Sequence, residues 1–190
     1  MRETRSPLQV TVSGIRLRGL GVTGGSGGGL LTDWTITQTQ RFKAAMAGAA
    51  ISDWPSFHGR SYLHTWDRKH YGNSDPYDAN SNHARFNPFA HVKKILTPTL
   101  ILHGELDWDV PVEQAYFLHR ALKDLGVETQ LVVYPREPHG VSEYAHRLDL
   151  YTRLCDWMVT RLAPPPPPPP TAETPAAKQT AKPAKAARTG

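Results

Sequence analysis

The sequence predicts an α/β domain built on a mostly parallel sheet. Two observations lead there. Short apolar runs alternate with segments of helical period, and the strongest runs are apolar at successive positions rather than at every second one. Strands of that kind are buried on both faces, as in a parallel sheet covered by helices.

Taken in order, residues 20–23 form a short apolar strand that runs into a glycine cluster. A helical pattern follows over about 30–42, and the small apolar residues 44–51 read as a strand buried on both faces. Residues 54–89 have no strong period and many aromatic and turn residues, so they are expected to be a functional or partly helical excursion. Residues 99–103 are the clearest buried strand. Residues 112–125 place Ala115, Leu118, Leu122 and Leu125 at helical spacing, closed by Gly126 as a C-cap. A fourth strand is expected over 128–134 and a closing amphipathic helix over 144–162.

Charge and proline divide the chain further. Of 17 prolines, nine lie in residues 163–190, including an unbroken run from Pro164 to Pro170. Such a run excludes helix and sheet. The Ala/Lys/Thr/Pro stretch after it has nothing to bury, so 163–190 is expected to be a disordered, solvated tail. Residues 1–18 form a basic segment with Arg2, Arg5, Arg16 and Arg18 against Glu3. The two ends thus carry the +5 net charge, and the body, 19–162, is close to neutral. A basic surface for nucleic acid is therefore not expected there. No apolar run approaches the roughly 18 residues that span a bilayer, and none behind Met1 suits a secretory signal. A lone Cys155 builds neither a disulfide framework nor a cysteine zinc site. The expected compartment is the cytoplasm, with no membrane partner.

The chemistry begins in the glycine cluster. Gly19-Leu20-Gly21-Val22-Thr23-Gly24 matches G-x-G-x-x-G, but the acid that would bind a ribose some 20 residues on is not placed by a strand. A phosphate loop would need a Lys and a Ser/Thr that are absent. Gly24-Gly25-Ser26-Gly27-Gly28 matches G-x-S-x-G between a strand and a helix, where a nucleophile elbow belongs; a flexible glycine turn that happens to hold a serine is the plain alternative. Asp107 follows the best strand and His139 follows the last one. The order Ser26, Asp107, His139 is that of the α/β hydrolases, and each residue follows its own strand. Glu105, Asp107 and Asp109 could instead form a paired-carboxylate set, although the histidine and the serine account for Asp107 better. His58, His64 and His70 recur at six-residue steps and could form a metal site with Asp67, although that spacing shares no helix or strand face.

Residues 20–157 resemble the catalytic domain of the prolyl oligopeptidase family of serine peptidases, nearest to its acylaminoacyl-peptidase-like and dipeptidyl-peptidase-like members. The stretches that carry the resemblance are GVTGGSGGG (21–29), RFKAAMAGAAISDW (41–54), TPTLILHGELDWDVPVEQA (97–115) and VVYPREPHG (132–140). The resemblance implies an α/β-hydrolase fold and a serine-type peptidase. Ser26 would be the nucleophile, Asp107 the acid and His139 the general base, with the N–H of Gly27 as an oxyanion donor. It implies that Trp54, Phe57 and Tyr62 line the pocket for the residue before the scissile bond, that the substrate is a peptide, and that no metal or cofactor takes part.

Two departures qualify what the resemblance implies. Gly27 and the pair Gly29-Leu30 stand where the family has bulkier residues, which loosens the turn. The family also has about four strands before the elbow, with the second oxyanion donor and a propeller domain, and residues 1–18 do not resemble them. The chain is accordingly expected to be an α/β hydrolase truncated to its last four strands: a fragment, a truncated gene product or half of a two-chain enzyme. The elbow strand would then be an open sheet edge, to be satisfied by a homo-oligomer or by the missing N-terminal half. An esterase on the same fold, or an impaired fragment acting only by association, are the rival functions.

Overall fold

The computed structural model describes residues 19–163. The basic segment 1–18 and, from 164 onward, the tail lie outside the described residues. Four strands form one sheet: β1 (Leu20–Gly25), β2 (Phe42–Gly48), β3 (Thr99–Gly104) and β4 (Thr129–Tyr134). Their order is β1-β2-β3-β4 and every pairing is parallel. The helices are α1 (Gly27–Gln38), α2 (Trp54–Arg60), α3 (His64–His70), α4 (Asn82–Arg85), α5 (Glu113–Asp124) and α6 (Tyr144–Leu162), with a 3₁₀ helix over Phe89–Lys94. None of them is long and apolar enough to cross a membrane.

Side-chain alternation on β2 shows how the layers form. Ala45 points with Ile101 toward Ile36 of α1 and Ala115, Leu118 and Leu122 of α5. Ala44 and Met46 point the other way, with Leu100, Leu102 and Tyr134, toward Trp157 of α6. A helix on each face explains why all six residues of β3 are buried. Fully burying a leucine such as Leu118 or Leu122 contributes about 1.5–3 kcal/mol, so α5 is pinned to the sheet by its apolar stripe.

The structure moves several expected boundaries. The first helix starts at Gly27, not near residue 30, and ends at Gln38. Three glycines in a first turn give no propensity signal; this turn is fixed by the tertiary setting of the strand end. The second strand runs from Phe42 to Gly48, because parallel pairing with β1 begins at Phe42. The aperiodic stretch is mostly short helices, each too brief to show an amphipathic repeat. Gly126 closes α5 at φ 71° as expected.

Candidate active site

All four strands are parallel, so their C-terminal ends share one rim, and the turns after β1, β3 and β4 carry Ser26, Asp107 and His139. Ser26 sits at φ 56°, ψ −122°, a strained backbone for a residue with a Cβ, and such a conformation costs about 1–3 kcal/mol. Two features hold it. The Ser26 N–H donates to Gly48 O at 2.8 Å, tying the turn to β2. The chain also doubles back so closely that a Cβ on Gly24 would lie 2.2 Å from Gly28 O. Gly28 itself has open space around it, so the steric demand falls on Gly24 alone of that pair. No side chain caps α1, which leaves the N–H groups of its first turn, Gly27 included, unclaimed by a capping group.

His139 stands between the serine and the acid. Its Nε2 lies 2.8 Å from Ser26 Oγ and its Nδ1 lies 2.8 Å from Asp107 Oδ2. A carboxylate only accepts, so Nδ1 carries the proton and Nε2 is free to receive one from the serine. Asp107 is buried, and burial alone would raise its pKa. Hydrogen bonds from His103, His139 and the Val110 N–H (2.8 Å to Oδ1) outweigh this and hold it at about 2. The hydrogen bond to Asp107, opposed by partial burial, in turn raises His139 above the ordinary histidine value.

Glu137 anchors the loop that carries His139. This carboxylate is almost fully enclosed and takes four hydrogen bonds, from Ser142 N and Oγ, Glu143 N and His146 Nδ1, at 2.7–2.9 Å. It thereby ties the loop to the start of α6. Burial would raise its pKa, but these donors outweigh burial and hold it at about 2. Glu143 and His146 complete an acidic cluster here, yet the Glu137 oxygens are already occupied by those donors. On the strand side, the loop passes so near β3 that a Cβ on Gly104 would meet Pro138 O at 2.1 Å.

The expected aromatic wall is only partly present. Trp54 and Phe57 are 1% and 0% exposed and pack with Ile51 and Val110 in a core of their own. This differs from the pocket-lining position expected for them: α2 turns its large apolar faces inward, and the Trp54 indole donates to Phe86 O. Tyr62, by contrast, is 62% exposed. It lines a shallow recess with Leu106, Trp108 and Pro138 beside His139. A second, mainly apolar cavity of about 340 Å³ opens at Ser26 and His139 and is lined by Met46, Leu102, Val141 and Leu150.

The remaining candidates disperse. Glu105 accepts from the Arg136 N–H, while Asp109, on the same turn as Asp107, lines the recess beside His139 with Tyr62. His58 meets Asp67 directly at 2.8 Å, with no space for an ion between them, while His70 stacks on Trp66. Asp67 is shared instead with His83, which no spacing argument singled out. Sequence reasoning also missed His103 and Glu137. Both sit inside the motifs that pointed to Asp107 and His139, and a polar residue within an apolar strand end was the available signal for His103.

Residues 13–164 match the prolyl oligopeptidase family. The chain belongs to that family. It is 43% identical over 139 residues to the uncharacterized peptidase YuxL of Bacillus subtilis, covering 71% of this chain and 20% of that protein. It is 31% identical over 144 residues to the acylamino-acid-releasing enzyme of Arabidopsis thaliana, covering 72% and 19%. Among solved structures, the acylaminoacyl peptidase of Pyrococcus horikoshii superposes with a TM-score of 0.71 at 28% identity, covering 76% of this chain and 24% of that one. An acylaminoacyl peptidase in complex with Z-Gly-Gly-Phe-chloromethyl ketone gives 0.69 at 29%, with the same coverage. The chain thus spans about a fifth of the length of the curated relatives it matches. Its four-stranded parallel sheet is the corresponding part of an α/β-hydrolase domain.

Proposed function

We propose that this chain is a serine-type peptidase that cleaves peptide bonds through Ser26, His139 and Asp107. The observation that carries the reading is the unbroken line from Ser26 Oγ through the two His139 nitrogens to Asp107, with both contacts at 2.8 Å. His139 Nε2 takes the proton as Oγ attacks the scissile carbonyl, and Asp107 fixes the tautomer and stabilises the imidazolium. The same proton then goes to the departing amine, leaving an acyl-enzyme that water cleaves by the reverse route. The N–H of Gly27, at the positive end of α1, receives the developing oxyanion. Tyr62 forms a wall of the substrate recess. Similarity to acylamino-acid-releasing enzymes and to a dipeptidyl-peptidase supports a peptide substrate.

A fluorophosphonate probe tests this directly. It is expected to label Ser26 in the wild type and to leave Ser26→Ala unlabelled. The base must be neutral to act, and its pKa is raised, so the labelling rate should climb to half its maximum above pH 6.5. Labelling of a different serine, with Ser26 intact, would overturn the assignment.

An esterase on the same triad is the second reading. One observation favours it: of the unclaimed N–H groups at the start of α1, only that of Gly27 directly follows the serine, and loss of one donor slows such enzymes by roughly 10²- to 10³-fold. An ester has the better leaving group and tolerates that loss more easily. Comparing turnover of a peptide anilide with that of a short acyl ester separates the two. Association belongs to the same proposal. Among the described residues β1 pairs only with β2, and its outer N–H and C=O groups suit pairing with a strand of a second copy.

A further inference from the structure

His103 is the fifth residue of β3, and its side chain is fully enclosed. Nε2 lies 2.8 Å from the carbonyl oxygen of Val110 and 3.3 Å from Asp107 Oδ2. Both neighbours are acceptors, so Nε2 bears a proton and points it between them. The other nitrogen, Nδ1, is buried with no partner among the described residues. A leucine would fill such a space without burying an unpartnered nitrogen, so packing alone does not account for an imidazole here.

We propose that His103 is a positioning residue of the triad, whose Nε2–H bridges the Val110 carbonyl and the Asp107 carboxylate. The inference rests on the reading of Ser26, Asp107 and His139 given above. Two consequences follow from the geometry. First, the turn 107–110 is clipped at both ends: the Val110 N–H donates to Asp107 Oδ1 while the Val110 carbonyl receives His103. Second, one oxygen, Oδ2, serves both imidazoles, at 2.8 Å for His139 and 3.3 Å for His103. Its negative charge is thereby shared. Without His103 the whole of it would act on His139, favour the imidazolium, and make the base harder to deprotonate. The other titratable groups facing this pair are Asp109, on the same turn, and Tyr62, whose hydroxyl is directed to Asp109. Both remain in every variant below.

The test is an NMR pH titration of the His139 ring in the full chain carrying Ser26→Ala, with His103 present, replaced by Leu, or replaced by Gln. Loss of the shared donor in His103→Leu is expected to raise the His139 midpoint by roughly half a unit to one unit. His103→Gln, whose amide can donate to the same oxygens, should return most of the way. In the Ser26 chain, maximal fluorophosphonate labelling should fall on the order of tenfold with Leu and recover with Gln. An unchanged His139 midpoint in a folded His103→Leu chain would overturn the proposal, because a space-filling role moves stability and not this midpoint. Should the Leu chain fail to fold, the ¹⁵N shifts of His103 in the wild type decide: a bare Nδ1 and protonated Nε2 support the bridge, and a proton on Nδ1 alone overturns it. If Ser26 is never labelled while the His139 shift is seen, the reading of function fails and the coupling of the two histidines through Asp107 stands.

Discussion

At the serine turn the chain is shaped by the absence of side chains, whereas the acid and histidine loops are shaped by side chains that bind one another. Ser26 owes its position to a strained backbone, one bond to Gly48 O, and a crossing at Gly24 that admits no Cβ. Asp107 and His139 owe theirs to buried titratable groups, with Asp107 held by three N–H donors and Glu137 by four donors. The first kind of support is steric and indifferent to pH. The second is electrostatic and fails when a carboxylate takes up a proton. The difference teaches where each half of the site is fragile.

The largest effect should come from breaking the steric half. Gly24→Ala places a Cβ against the Gly28 backbone, which cannot yield as a flexible side chain could. It is expected to cost about 3 kcal/mol or more and to abolish Ser26 labelling, measured by urea unfolding and probe incorporation. Its control lies four residues away. A Cβ on Gly28 meets nothing within 4 Å, so Gly28→Ala should keep both stability and labelling. Equal damage from the two would refute the crossing as the reason for glycine.

Next in size is the electrostatic half. Glu137→Gln keeps the shape but removes the charge that gathers Ser142, Glu143 and His146. Labelling should fall on the order of tenfold as the His139 loop loosens. The pH dependence follows from a folded pKa of about 2, below the ordinary 4.5. Glu137 therefore stabilises the fold fully above pH 4.5, and this contribution is lost as pH falls toward 2. The gap in thermal midpoint between wild type and Glu137→Gln should close over that range. A gap that stays constant down to pH 2 would show that the charge is not what matters.

The smallest effect sharpens the comparison, because it puts a titratable group in the serine half and away from the triad. Asp33 of α1 is fully buried, and burial pushes its carboxyl up to about 8 against the opposing hydrogen bond from Ser52. In the unfolded chain it ionises near 3.8, so the folded state holds the extra proton between those values. Stability is then lost as pH rises from about 4 to 8. Asp33→Asn should remove that slope, leaving the chain more stable than the wild type at pH 8, with labelling unchanged. A slope that survives the substitution would assign it to another group.

Legibility in the sequence followed the kind of force involved. β3 and α5 could be read because burial on both faces, and a stripe of Ala115, Leu118 and Leu122, leave period and composition signals. The triad candidates could be read because each stands in a motif just past a strand. The start of α1 could not, since its geometry is set by crowding at Gly24 and no propensity records it. Trp54 and Phe57 were placed by resemblance in a pocket, but the direction of a short helix depends on its packing partners, here Ile51 and Val110. His103 and Glu137 escaped because their partners, Val110 and Asp107 for the one and Ser142, Glu143 and His146 for the other, mix backbone and side-chain groups that only the folded loops bring together.

Ser26 and His139 are 113 positions apart and follow the first and last strands of the sheet. A ribosome adding about 5–20 residues per second exposes the serine on the order of ten seconds before the histidine that would activate it. On the proposed mechanism the nascent chain would during that interval hold a nucleophile with no base, and its own unfolded segments would be safe from attack. Reactivity arrives only when β4 has docked, so within the proposed mechanism completion of the sheet does the work that a removable propeptide does in other proteases. Probe labelling would accordingly serve as a clock for the last step of folding.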